Sequence, residues 1–200
     1  MFIIGLTGNI ATGKSTVTHL LAAHGAEIID ADLIGHEVQK PGGPAYLKII
    51  EGFGGEVLTP EGSIDRRKLS ELVFNDPGRL HQLEQIVHPF VVERIVARLR
   101  ESTGPVVVIE AIKLIEVGLA GLCSEVWVVT STKEQQLARL RESRGMTRKA
   151  ALLRIHAQPP QADKVRIASV VFKNTGSLDE LSARVEGEWA RVQPPPPSQP

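Results

Sequence analysis

The sequence holds a single cysteine, Cys123, in 200 residues. That excludes an internal disulfide and any cysteine-rich metal site, and it suits a reducing cytosol. Cys123 itself reads as a small buried hydrophobe. Excess charge is missing as well: 23 basic residues offset 23 acidic ones. No global field therefore draws the chain to nucleic acid or to an anionic membrane, and any anion site has to be local. No apolar run approaches the ~20 residues of a membrane span, and Met1-Phe2-Ile3-Ile4 has no basic segment ahead of it. The expectation is a cytoplasmic protein, monomeric or weakly homo-oligomeric, with neither nucleic acid nor membrane as partner. At this length one substantial core carrying insertions is favoured over two independent domains. No internal repeat is visible.

What is present is an alternation of strand and helix patterns. Residues 2–6, 106–109 and 126–129 are apolar without polar alternation, as strands buried on both faces of a parallel sheet are. Residues 26–30 and 169–172 read as two further strands. Between and after them, apolar residues recur at helical spacing over 14–24, 67–74, 77–101, 133–144, 148–158 and 178–192. The class is α/β. Gly52-Phe53-Gly54-Gly55 and Thr59-Pro60-Glu61-Gly62 mark loops around a helical insertion expected over about 41–90. Pro194 to Pro197 can neither continue a helix nor donate to a sheet, so 193–200 is expected to be a disordered proline-rich tail, leaving 1–192 as one domain.

The first strand runs into Gly8-Asn9-Ile10-Ala11-Thr12-Gly13-Lys14-Ser15, and an amphipathic helix follows. Strand, Gly-x4-Gly-Lys-Ser, helix is the context a Walker A phosphate loop requires. The two glycines let successive amides turn inward on phosphate, helped by the positive end of the helix that starts near Lys14. Lys14 is placed to reach the β- and γ-phosphates of ATP, the Ser15 hydroxyl to ligate Mg²⁺, and Thr16 to add a phosphate contact. A bare glycine turn opening a helix would leave the lysine unexplained.

Asp30 and Asp32 follow the second strand, at the edge of a parallel sheet that faces the ligand crevice. A kinase acting on a hydroxyl needs a carboxylate to orient the nucleophile and take its proton. Asp32 is the candidate base and Asp30 a supporting or Mg²⁺-water contact; the alternative is that one of them caps the helix over 33–38.

Taken together, Ile4-Gly5-Leu6-Thr7-Gly8, the phosphate loop, Ile29-Asp30-Ala31-Asp32, Asp65-Arg66, His88-Pro89, Gln158 and Asn174-Thr175-Gly176 resemble the dephospho-CoA kinases across nearly the whole chain. The resemblance implies a nucleoside-monophosphate-kinase-like P-loop core, a helical CoA-binding insertion and a mobile lid over about 139–158. It implies transfer of the ATP γ-phosphate to the 3′-hydroxyl of the dephospho-CoA ribose, the last step of coenzyme A synthesis. Asp32 falls on the family's base position, and Arg66, His88 and Pro89 fall in the segment that shapes the substrate pocket. Arg66 can hold the substrate pyrophosphate with a planar fork of donors, or else merely start a solvated helix. His88 before Pro89 either touches substrate or stops the helix and packs. Arg139, Arg141 and Arg144 are the arginines that could close on the phosphates, and Asn174 and Gly176 form the loop near the adenine. The chain departs from the family at Ser143, where an arginine is usual, and at Lys113, Ser169 and Lys173, while Glu110 can still supply a Walker-B-like carboxylate. Lys113 either pairs with Glu116 or touches an anionic substrate. Two other functions fit the phosphate loop: a kinase for another small hydroxylated metabolite such as a nucleoside, and a nucleotide-binding regulator without transfer activity.

Overall fold

A computed structural model of the chain describes residues 1–74 and 76–192. The unbroken apolar runs form strands: β1 (Phe2–Thr7), β2 (Glu27–Asp30), β3 (Val106–Glu110), β4 (Glu125–Thr130) and β5 (Val170–Lys173). They make a five-stranded parallel sheet in the order β2-β3-β1-β4-β5. Ile4 lies opposite Val108, Gly5 opposite Val126 and Val128 opposite Val171. Parallel neighbours cannot be joined by hairpins, so helices make the crossovers and cover the faces, which is why Val106 to Ile109 are wholly buried.

Two compact units are distinguishable: Met1–Ile29 with the chain from Ser102 onward, and Asp30–Glu101. In the first, the period-2 geometry of the strands sends Ile4, Leu6, Val106, Val108, Trp127, Val129 and Phe172 to one face. There they pack on Val17 and Leu21 of α1 (Lys14–Ala23) and on Leu181, Val185 and Trp189 of the closing helix. The rings of Trp127 and Phe172 meet edge to face, 5.4 Å apart. Burial of each such side chain contributes ~1.5–3 kcal/mol, so this face anchors the unit and holds β1 still beneath the loop that follows it.

In the second unit α2 (Ala31–Glu37), α3 (Tyr46–Phe53) and α4 (Arg66–Phe74) each pack against the long α5 (Pro77–Glu101). Ile34, Ile49, Leu69, Val73, Val87, Val91 and Ile95 supply the buried seam. The helical insertion expected over 41–90 lies inside this unit. Pro89 does not stop α5, contrary to one reading of His88-Pro89: the helix continues twelve residues past it. Proline removes one backbone hydrogen bond there, but Val87, Val91 and Ile95 are buried on either side of it and fix the helix by packing. Gly52 and Phe53, read as loop, belong to α3; the chain turns only at Gly54, whose φ of 82° ends the helix.

The first unit continues with α6 (Lys133–Arg144), α7 (Arg148–His156), the short α8 (Gln161–Arg166) and α9 (Leu178–Val192). Thr132 and Gln135 form a capping box at α6, Gly145 in the left-handed region ends it, and Thr147 caps α7. α8 carries no sequence signal beyond its short length. No helix among the described residues is long and apolar enough to cross a membrane. The expected tail, 193–200, lies outside the described residues.

Candidate active site

β1 ends at Thr7 and α1 begins at Lys14, and the six residues between them make the turn. A Cβ at Gly13, where φ is 97°, would collide with Asn174 Nδ2, and one at Gly8 would collide with the Val129 carbonyl. Glycine is therefore required at both. Ala11 sits at φ 58°, the only non-glycine residue with positive φ among those described. Left-handed residues set among ordinary ones are the winding of a backbone nest, and an anion is the ligand such a nest takes. α1 starts from Gly13 with no side-chain cap on its first amides, so the positive helix end is available to the same anion. Lys14 is nearly buried, with its Nζ donating to the Gly8 carbonyl at 3.1 Å across the mouth of the loop. Ser15 next to it is exposed. One turn on, Thr18 Oγ1 donates to Glu110 Oε2 at 2.6 Å, which ties the carboxylate ending β3 to α1.

The loop is braced from outside by residues distant in sequence. Thr12 Oγ1 donates to the Asn9 carbonyl at 2.9 Å, and Asn9 Nδ2 to the Pro159 carbonyl at 3.0 Å. The Ile10 amide donates to Gln158 Oε1 at 2.6 Å, while its side chain packs with Leu140, Ala151, Met146 and Ile155 of the α6–α7 hairpin. The segment expected as a lid thus rests on the phosphate loop through a small apolar core. A cavity of about 490 Å³ opens beside these braces, lined by Asn9, Lys133, Gln158 and Pro159 among others.

Arg139, one of the arginines expected to close on the phosphates, donates to backbone carbonyls around the loop. Its Nη1 donates to the carbonyls of Ala11 and Thr12, each at 3.1 Å, and its Nη2 to the carbonyl of Asn174 at 3.2 Å. These donors are taken up by the outward-facing backbone of the loop, where acceptors are concentrated, and a finger needs them turned toward phosphate. Asn174, expected near the adenine, is buried, and its Nδ2 donates to the Thr12 carbonyl at 2.9 Å. Arg144, the last residue of α6, is exposed, as is Arg141.

In the second unit Asp30 Oδ1 accepts from the Leu33 amide at 2.9 Å and caps α2. Asp32, in the first turn of α2, is exposed. His36 stands one turn further along; burial and then the Arg66 guanidinium hold its pKa below the usual histidine value, against the opposite pull of Asp32 and Asp30. Arg66 is the first residue of α4 and exposed, directly after Asp65, which accepts from the amides of Arg67 and Lys68 as the helix cap. His88 is half-buried and Pro89 exposed on α5. The same unit holds a cavity of about 560 Å³, lined by Val38, Pro44, Phe90, Glu93 and Arg94 among others.

The family model for dephospho-CoA kinase matches residues 2–180. The chain belongs to the dephospho-CoA kinase family. A dephospho-CoA kinase from Geobacter metallireducens is 43% identical over 192 residues, spanning 94% of this chain and 96% of that one. Among solved structures, a protein from Thermus thermophilus superposes with a TM-score of 0.84 at 33% identity, covering 96% of this chain and 98% of its own. The dephospho-CoA kinase from Campylobacter jejuni superposes with a TM-score of 0.69 at 26% identity, covering 95% and 96%.

For a dephospho-CoA kinase relative, the unusual positions have plain local surroundings. Ser143 Oγ donates back to the Arg139 carbonyl at 2.6 Å, one turn earlier on α6. Ser169 joins β5 to β4: its amide donates to the Val126 carbonyl at 2.8 Å. Lys173 is exposed at the end of β5, and Lys113 is exposed after β3. Glu116 pairs with Lys164, whose buried Nζ also donates to the Ile112 carbonyl at 2.8 Å. Lys164 and Thr18 were not singled out from sequence, because their partners lie 48 to 92 residues away.

Proposed function

We propose that the chain transfers the γ-phosphoryl group of ATP to the 3′-hydroxyl of the dephospho-CoA ribose, the last step of coenzyme A synthesis, in the cytoplasm. The observation that carries this reading is the phosphate loop, an anion nest with Lys14 across its mouth and an uncapped helix end behind it, in a chain of the dephospho-CoA kinase family. The amides of Gly13 to Ser15, where α1 begins, cradle the phosphates, and Lys14 holds the β- and γ-phosphates. The exposed Ser15 hydroxyl would hold Mg²⁺. When bound, Mg²⁺ offsets charge on the transferring phosphoryl group.

Asp30 is committed to capping α2, so the base role falls to Asp32, which orients the ribose hydroxyl and accepts its proton. Arg66, His88 and Pro89 shape the acceptor pocket, with Arg66 gripping the pyrophosphate. Arg144 approaches the phosphoryl group and offsets its charge. In an ADP-release assay with dephospho-CoA as acceptor, the wild type turns over. Asp32→Asn keeps its ATP affinity and loses kcat by a factor on the order of 10²–10⁴. An unchanged kcat would remove Asp32 from the chemistry. A wild type idle on dephospho-CoA but active on a nucleoside would sink the substrate assignment.

A further inference from the structure

Arg139 reaches the phosphate loop from behind, and the acceptors it holds define its task. Nη1 donates to the carbonyls of Ala11 and Thr12 at 3.1 Å and to Ser131 Oγ at 3.2 Å; Nη2 donates to the Asn174 carbonyl at 3.2 Å. Asn174 Nδ2 gives Thr12 O a second donor at 2.9 Å. Amides converge on an anion only if the carbonyls of the same peptides point away from it. Those carbonyls, crowded on the outer side of a tight loop, need donors or the peptides turn over. Ala11 needs them most: at φ 58° it holds a conformation that an L-residue with a Cβ avoids. A planar guanidinium with donors in a fixed fork can hold two successive carbonyls and two further acceptors at once, which an ammonium cannot.

We propose that Arg139, together with Asn174, is a positioning residue of the nucleotide site: it presets the loop amides for the phosphates that ADP and ATP share, and it is not the arginine that meets the transferring phosphoryl group. The proposal rests on the phosphate loop binding ATP and is independent of which acceptor is phosphorylated. Its position also explains how Ser143 can replace the family's arginine one turn further along without disturbing the loop: the two positions serve different groups.

Calorimetry of ADP and ATP binding to the full chain separates a brace from a finger, because ADP lacks the γ-phosphate. In Arg139→Gln both affinities fall together, by about 10- to 100-fold, and kcat at saturating ATP falls by less than the affinity does. Arg139→Lys recovers only part of the loss. Asn174→Ala, which leaves the guanidinium in place, weakens ADP by roughly 3- to 10-fold with its thermal midpoint near that of the wild type. ADP affinity at the wild-type level in Arg139→Gln, with kcat reduced, would overturn the proposal in favour of a finger, and full recovery by lysine would overturn the fork. Should Arg139→Gln fail to fold, Asn174→Ala decides: unchanged ADP affinity there overturns the brace.

Discussion

Cys123 shows what one side chain can disclose about a whole sheet face. Its sulfur lies where a Cβ on Gly5 of β1 would have to go, 2.6 Å from it, and the thiol donates to the Leu119 carbonyl at 3.3 Å. Burial pushes its pKa up to about 11. Iodoacetamide reacts with the thiolate, so at pH 8 the native protein should be alkylated more slowly than the urea-unfolded chain by a factor on the order of 10². The native rate should climb with pH until about 11. Equal rates for the two states would contradict the burial. Composition led this residue to be read as a buried hydrophobe; it is half-buried, packed against Gly5. Composition was not enough to separate Asp30 from Asp32, since both precede the same helix and either could cap it. The decision lies in one backbone amide, that of Leu33, whose direction depends on how the chain leaves β2.

At the scale of the element, α9 illustrates how a helix is pinned at its end. Arg191 grips both oxygens of Glu125 at 2.7 and 2.6 Å, and the Trp127 indole nitrogen donates to the same carboxylate at 2.8 Å. The Arg191 bond holds the Glu125 pKa below the usual carboxylate range against burial, the next largest effect, and the indole adds a smaller pull in the same direction as the arginine. A carboxylate whose pKa is lowered by folding contributes stability above its unfolded pKa, near 4.3, and loses it as pH falls through the native value. The Arg191 side chain is 49% exposed, so screening limits the pair to less than about 1 kcal/mol. Urea unfolding should accordingly show Arg191→Gln slightly less stable than the wild type at pH 7, with the gap closing as the pH drops below about 4. A gap that persists in acid would assign the loss to packing of the arginine stem. The starts of the helices over 133–144 and 148–156 agree with the bounds read from sequence, and in both a threonine, Thr132 or Thr147, caps the first turn. Element boundaries were least legible where tertiary packing overrode local signals. The helix over 77–101 was read to its bounds although it contains Pro89, whereas Gly52, read as loop, is helical because Ile49 and Phe53 are buried around it.

For the whole molecule, the phosphate loop was readable because its chemistry is contiguous: eight successive residues carry the turn, the lysine and the hydroxyl. Its supports were not readable, since Pro159, Gln158, Arg139 and Asn174 reach it across 127 to 162 residues of sequence. The family resemblance brought Gln158, Arg139 and Asn174 to notice but not Pro159, and it placed Arg139 among the closing arginines, whereas the guanidinium donates to the Ala11 and Thr12 carbonyls of the loop. The same division applies to substrate choice. Gly8 to Ser15 specifies a nucleotide donor, while the residues proposed to hold the acceptor, Asp32 and Arg66 among them, are scattered over residues 30–101. The most direct test of the acceptor is therefore the product itself. Purified protein is incubated with Mg²⁺, ATP and dephospho-CoA, and phosphorus and proton NMR locate the new monoester. Coupling of one new phosphorus to the ribose H3′, with one ADP released per product, is the predicted result. A phosphate at another position, or ATP left intact beside unmodified dephospho-CoA, would contradict it.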